Sequence, residues 1–369
     1  MAGPKNPAYF FMVTNIFKIL LLLSPIIYGF DKEPKVMDIV FFQVGSIILF
    51  LGSLWDKPKR ELDIKLFVTS FLGLGILSLL WHGFTFIPMM VFLNMFLGIM
   101  VLTILIRYVE KPEDLFKYIV IAGILNLALF VSQRIIKFDP IFDNNVGDPT
   151  FPQEFGGFMG NSSSLAIYIA LILPFLFNFS FYLALGVFAF FMFYCKEAML
   201  FPVIIFLCFF KFNKFKSRAI ILSLCLVIDF FFYKHFISSI QFRWVNIWKE
   251  AINEFFNRPF LGHGLGTFYF NYGSDSFNSY LPFIFGVGML GIVWLFYVMK
   301  YFVRKFSFTY SLPDIALLSF LVISLKEYPV EMPKLWFTII FIIACFIIKK
   351  GGCDEGKVSR WLVGSNSGI

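Results

Sequence analysis

Apolar residues fall along this chain in runs of roughly 16–25, bracketing the ~20 residues that a helix needs to cross a bilayer. The runs are 9–30, 36–54, 64–82, 84–106, 115–136, 157–178, 180–195, 198–211, 218–234, 279–303, 310–326 and 333–348. The pair 180–195 and 198–211 also reads as one long broken span, which would invert everything after it. Between 234 and 279 the pattern changes to polar, Gly-rich and Asn-rich sequence, which must lie outside hydrocarbon. Within it, Arg243 to Phe256 has helical periodicity, with Trp244, Ile247, Trp248, Ala251, Ile252 and Phe255 on one side. Arg243, Lys249, Glu250 and Asn253 fall elsewhere around that helix. Two Trp at i and i+4 suit headgroup depth, so the helix is expected to lie flat with both indoles toward lipid or the spans. Pro259, Gly262, Gly264 and Gly266 then force an irregular turn before the chain re-enters the membrane near Ser279.

Composition turns this pattern into a class. Hydrophobic residues are 59% and charged residues 15%, with mean hydropathy +0.81, far too little charge for a soluble chain of 369 residues. The expected fold is an all-α integral membrane protein of about twelve transmembrane helices, with one large extracytoplasmic loop containing an amphipathic helix. Residues 1–369 form a single polytopic domain, and 235–278 form the loop between the ninth and tenth spans. Lys57, Lys59, Arg60, Arg107, Lys214, Lys216, Arg304 and Lys349 collect in alternate loops, whereas Asp31, Glu33, Asp139, Asp143 and Asp148 fall in the others. The positive-inside rule then predicts both termini in the cytoplasm and an even number of spans. The net charge of +8 forms no basic stripe, so nucleic acid is not an expected partner. The first run is long and lacks a small-residue cleavage site, so no cleavable signal is expected. The five Cys show no metal-like spacing.

Candidate chemistry lies at the outer rim. Few spans carry ionisable residues near their centres, unlike a conduction path. Arg134, Lys137, Lys196, Glu197, Lys234, Arg243, Lys249 and Arg258 collect instead at one side. Lys196 interrupts an apolar run as "YCKEAML", where a snorkelling pair with Glu197 would mark the bend. The three histidines, His82, His235 and His263, all fall at the outer face. In "GGFMGNSSSLAIYIALILPF" (156–175), Asn161 and the following serines line a polar site, or Ser162 simply caps the next helix. No Asp-x-Asp, HExxH, P-loop or Cys/His cluster is present, so no metal or cofactor is expected.

Four pieces in order, an Arg–Trp helix start at 243, "RPFLGHGLGTF" (258–268), "FNSYL" (277–281) and "GVGMLG" (286–291), resemble the O-antigen ligase and polymerase family. The resemblance covers roughly 156–291 and implies a bacterial inner-membrane glycosyltransferase. Its partners would be an undecaprenyl-diphosphate-linked glycan, an acceptor glycolipid (lipid A-core) or glycan, and membrane lipids. It implies that Arg243 grips the diphosphate and that Lys196, at the place of a family arginine, neutralises a phosphate as a point charge. It also implies that Asn161, in a Gly-x-x-x-Asn element, is a further binding residue. Arg258, before Pro259, orders the turn or serves as a further phosphate contact. The family carries a histidine just before the asparagine matched by Asn278; here that residue is Phe277. His263 or Asp275 would then act as the base that activates the acceptor. The family acid matched by Gly286 is also missing. A repeat-unit polymerase, a flippase or exporter of the same pathway, and an inactive relative remain as alternatives.

Overall fold

The computed structural model describes residues 12–26, 34–55, 65–83, 85–109, 111–136, 157–159, 162–180, 183, 187, 242–272, 279–305, 312–326 and 333–363. Helix is the only regular structure among them. In chain order these are α1 (Met12–Leu23), α2 (Pro34–Ser53), α3 (Lys65–His82), α4 (Phe86–Tyr108), α5 (Glu113–Ile136) and α6 (Ser162–Phe179). They continue with α7 (Phe242–Phe255), α8 (Thr267–Tyr272), α9 (Tyr280–Val287), α10 (Met289–Lys305), α11 (Leu312–Lys326) and α12 (Trp336–Val363). Each predicted apolar run that falls on described residues is helical. The runs 180–195, 198–211 and 218–234 lie outside the described residues, apart from Leu183 and Val187.

The core is built on α6, in which every residue from Leu165 to Leu176 is buried. A helix that is apolar all round can be satisfied only by neighbours on every side. It lies against α5 and α11, while α4 lies against α2 and α12. Aromatic contacts join these layers. Phe337 meets Phe17, Phe41 and Phe42 at centroid distances of 6.1, 6.2 and 5.0 Å, and Phe116 meets Phe175 at 4.8 Å. Buried Lys334 ties two short 3-10 turns together. Its Nζ donates to the Phe158 carbonyl (2.7 Å), and its own carbonyl accepts from Ser24 Oγ (2.6 Å).

Among the described residues, two helices, Phe86–Tyr108 and Glu113–Gln133, are long and apolar enough to cross a membrane. The outward faces of α2, α3 and α10 are also apolar, with Ile47, Leu51, Leu77, Leu80, Trp81, Val293 and Phe296 all exposed. Apolar surface of that extent is the pattern of a chain that associates with lipid.

The structure departs from the sequence reading at two helix bounds. The single run 279–303 is two helices, α9 and α10, divided at Gly288, where φ is +75°. Just beyond the break, the Met289 and Leu290 N–H groups donate to the Pro259 and Phe260 carbonyls (2.7 and 3.5 Å), tying the start of α10 to the preceding loop. At the other bound, α12 runs past the end of the expected span at residue 348 to Val363. No proline stops it, and Gly351 and Gly352 each cost a helix only about 1 kcal/mol.

Candidate functional site

The site is assembled on the break between α9 and α10. The turn after α7 runs alongside the end of α9, and backbone hydrogen bonds join the two. His263 N–H donates to the Phe285 carbonyl and Gly264 N–H to that of Gly286, both at 2.9 Å. The two strands of chain touch where neither has a side chain. A Cβ on Gly262 would stand 2.5 Å from the Phe285 oxygen, and one on Gly288 would stand 2.5 Å from Gly262 N. Both residues also have positive φ, +68° and +75°, which strains any L side chain. Gly286, where the resemblance expects an acid, faces the Gly264 carbonyl at 3.0 Å from its would-be Cβ. Those are backbone atoms, so a side chain there would need the turn to give by a few tenths of an ångström.

Below the turn, one face of α3 presents Ser70, then Ser78 two turns on and His82 one turn after that. Ser70 Oγ accepts from Trp294 Nε1–H (3.0 Å), and Ser78 Oγ accepts from Leu265 N–H (3.1 Å). One turn further on stands His82, whose ring lies 2.9 Å from the would-be Cβ of Gly264. The carbonyls of Leu261 and Gly262 stand against that ring, with Arg258 and His263 as its charged or ionisable neighbours. Its Nε2 is buried and has no hydrogen-bond partner among the described residues.

His263 is held on two sides. Its ring stacks on Phe285, with centroids 4.5 Å apart and an interplanar angle of 13°. Its Nε2–H donates to the Glu254 carbonyl at the end of α7 (2.8 Å). A base at His263 would therefore have to work through Nδ1. The Glu254 carboxylate in turn accepts from the Tyr272 hydroxyl, joining α7 to α8. Burial first, and then this carboxylate, hold the Tyr272 phenol well above its usual pKa.

The N–H groups of residues 262 to 265 and of Thr267 all donate within this unit, to the Arg258, Phe285, Gly286 and Gly264 carbonyls and to Ser78. The Gly-rich turn is therefore a packing device, with none of these donors left for a phosphate cradle. Any ligand chemistry must come from the side chains around it. Arg258 is exposed at the start of the turn, its carbonyl accepting from Gly262 N–H (3.0 Å). Arg243 lies in the first turn of α7, and its side chain lies outside what the structure describes. Lys196, Asn161, Asp275 and Asn278 also lie outside the described residues. Among the described residues, no group of three or more His, Cys, Asp or Glu could hold a metal ion.

Of the expected site residues, the structure thus brings His263 and Arg258 together. It adds His82, Ser78, Glu254 and Tyr272, which sequence reasoning did not assign. The one available signal for His82 was its expected place at the outer face, shared with His263. Comparison of the chain with known protein families, with curated proteins and with solved structures finds no match.

Proposed function

We propose that this chain is a polytopic membrane glycosyltransferase of the O-antigen ligase and polymerase kind, acting at the outer face of a bacterial inner membrane. In this reading about twelve spans leave both termini in the cytoplasm and place 235–278 in the periplasm. One observation supports it above the rest. The pieces 258–268 and 286–291, separate in sequence, meet as one backbone-bonded unit with interlocking glycines.

The reaction is a displacement at an anomeric carbon. An acceptor hydroxyl oxygen attacks that carbon, and its bond to the diphosphate oxygen breaks. Undecaprenyl diphosphate leaves with the bonding pair, and a base takes the hydroxyl proton. The leaving group is already activated, so the protein supplies cations, orientation and a base. Arg243 and Lys196 stabilise the charge growing on the diphosphate, each worth a few kcal/mol in a poorly hydrated site, against ~0–1 kcal/mol for an exposed ion pair. Arg258, at the start of the turn, is a further cation. Asp275, or His263 through Nδ1, takes the proton, while Asn161 and Asn278 orient the sugar. The acceptor is lipid A-core in a ligase. Phe277, in place of the family histidine, keeps a repeat-unit polymerase as the second reading.

A deletion strain carrying variants tests this. Arg243→Ala should abolish glycan transfer with protein level and membrane insertion unchanged. Lys196→Arg should keep activity, whereas Lys196→Ala should lose it. Normal transfer by Arg243→Ala would remove the diphosphate site. In the deletion itself, lipid-linked polymer accumulating without chains on lipid A marks a ligase, and single capped repeats mark a polymerase.

A further inference from the structure

The amphipathic helix α7 has three faces. Ile247, Ala251 and Phe255, four residues apart, pack onto Phe268, Phe285, Tyr272 and Leu281, with Ala251 fully buried and Ile247 and Phe255 half-buried. Lys249, Glu250, Asn253 and Asn257 are exposed and polar. One residue on from this packed row, about 100° around the helix, runs a third row: half-buried Trp248, then Ile252 at 46% and Phe256 at 69% exposed. Phe260 in the turn, 71% exposed, follows four residues later. Two aromatic side chains exposed to that degree on adjoining turns do not suit water.

This row is continuous with α10. Phe260 is tied to the first turn of α10 by the bonds from Met289 and Leu290 to the Pro259 and Phe260 carbonyls. From there an exposed apolar face runs down through Met289, Val293, Phe296 and Val303, with exposed Lys300 and Arg304 at its far end. From Met289 to Val303 this face is about 21 Å long at 1.5 Å per residue, roughly 9 Å short of a ~30 Å hydrocarbon core. The corner at its head is the apolar surface that makes up the difference. Exposed Lys249 and Arg258 flank that corner, where lipid phosphates would lie.

We infer that the corner formed by Ile252, Phe256 and Phe260 is a wedge inserted into the acyl region of the outer leaflet. It sets the height of the glycine turn, so that Arg258, His82 and His263 sit at headgroup-phosphate level. The occupant of this surface is the lipid bilayer itself. The inference rests on the membrane placement proposed above and not on glycosyl transfer, so its test reads no activity.

The test uses the full chain with its five native cysteines replaced, reconstituted in vesicles of phosphatidylcholine and phosphatidylglycerol. Single cysteines at 252, 256, 260, 249, 253 and 257 carry nitroxide labels, and collision with oxygen is compared with collision with a water-soluble nickel chelate. Labels at 252, 256 and 260 should favour oxygen and report depths below the phosphates, and those at 249, 253 and 257 should favour nickel. The labelled positions are exposed, so folding should survive; a monodisperse elution profile verifies it for each variant. Nickel access at 256 and 260 equal to that at 253 overturns the wedge. Immobile labels at 256 and 260, reached by neither reagent, overturn it as well, because protein would then cover the corner.

Discussion

Substituting the glycines one at a time separates strain from collision and tests the interlock directly. Gly73 lies inside α3, and a Cβ there meets nothing within 4 Å. Gly73→Ala should be neutral or stabilising, by up to about 1 kcal/mol, from helix propensity alone. Gly83 has φ +82° but likewise meets nothing within 4 Å among the described residues. Gly83→Ala should therefore cost only the left-handed strain, about 1–2 kcal/mol. At Gly262 and Gly288 the same strain is joined by backbone atoms at 2.5 Å. Relieving that collision adds an overpacking cost of about 1–3 kcal/mol, which gives about 2–5 kcal/mol in all. That is a large part of a usual stability of about 5–15 kcal/mol. Unfolding of the detergent-solubilised protein by sodium dodecyl sulfate, followed by tryptophan fluorescence, gives the ranking. The expected order of loss is Gly288→Ala and Gly262→Ala, then Gly83→Ala, with Gly73→Ala at or above wild type. If Gly288→Ala costs no more than Gly83→Ala, the turn and the break in α9–α10 are not locked together and the reasoning fails.

Tyr272→Phe should destabilise by about 1–2 kcal/mol, below the full value of a charge-assisted bond because the pair is only half-buried. The phenol pKa is raised in the fold, so the unfolded chain ionises first as pH climbs past about 10. Wild-type stability should accordingly fall above that pH, and Tyr272→Phe should shed its share of the fall in a denaturation series against pH. His263→Phe keeps a ring over Phe285 but loses the bond to the Glu254 carbonyl, so it should cost about 1 kcal/mol, and His263→Ala should cost more. A folded His263→Phe protein with normal glycan transfer would leave Asp275 as the proposed base. For topology, a cysteine at Ser274 should be labelled from outside an intact cell and one at Ser217 should not; outside labelling at 217 would overturn the orientation.

Much of the helical layout was legible because a span advertises itself in twenty consecutive residues, without help from the rest of the chain. Helix α7 was legible for a related reason. Its period is strong, and the expected limits, Arg243 to Phe256, differ from Phe242–Phe255 by one residue at each end. The division at Gly288 was not legible, because the apolar run continues unbroken across it and the partner carbonyls come from Pro259 and Phe260 in the loop before it. The same holds for Ser78 and His82. Ser78 meets Leu265 across 187 residues, and no local pattern announces such a contact. Spacing marked the glycines as a turn; what the turn closes on required the structure. The absence of an acid at Gly286 looked like a lost polar contact, whereas the structure shows the Gly264 carbonyl 3.0 Å from where that side chain would begin.

The division of α7 shows how one pattern can serve two solvents. A stripe running from Ile247 around to Ile252 is wider than one packing partner needs, and the surplus is the row that carries Ile252 and Phe256. Ala251, wholly buried, lets α7 approach the Phe268–Phe285 pair closely. That approach brings the Glu254 carbonyl within reach of His263 and its carboxylate within reach of Tyr272. In the proposed placement, the helix that rides the bilayer surface is thus the one that fixes the histidine. A change in its depth or tilt would be felt at His263 through the Glu254 carbonyl, with no intervening loop to absorb it. With the N–H groups of residues 262–265 and 267 committed internally, selectivity for a headgroup or a glycan rests chiefly on the side chains arrayed around the turn. Those are Arg258 and His82 among the described residues, and Arg243, Lys196 and Asp275 in the proposed reading.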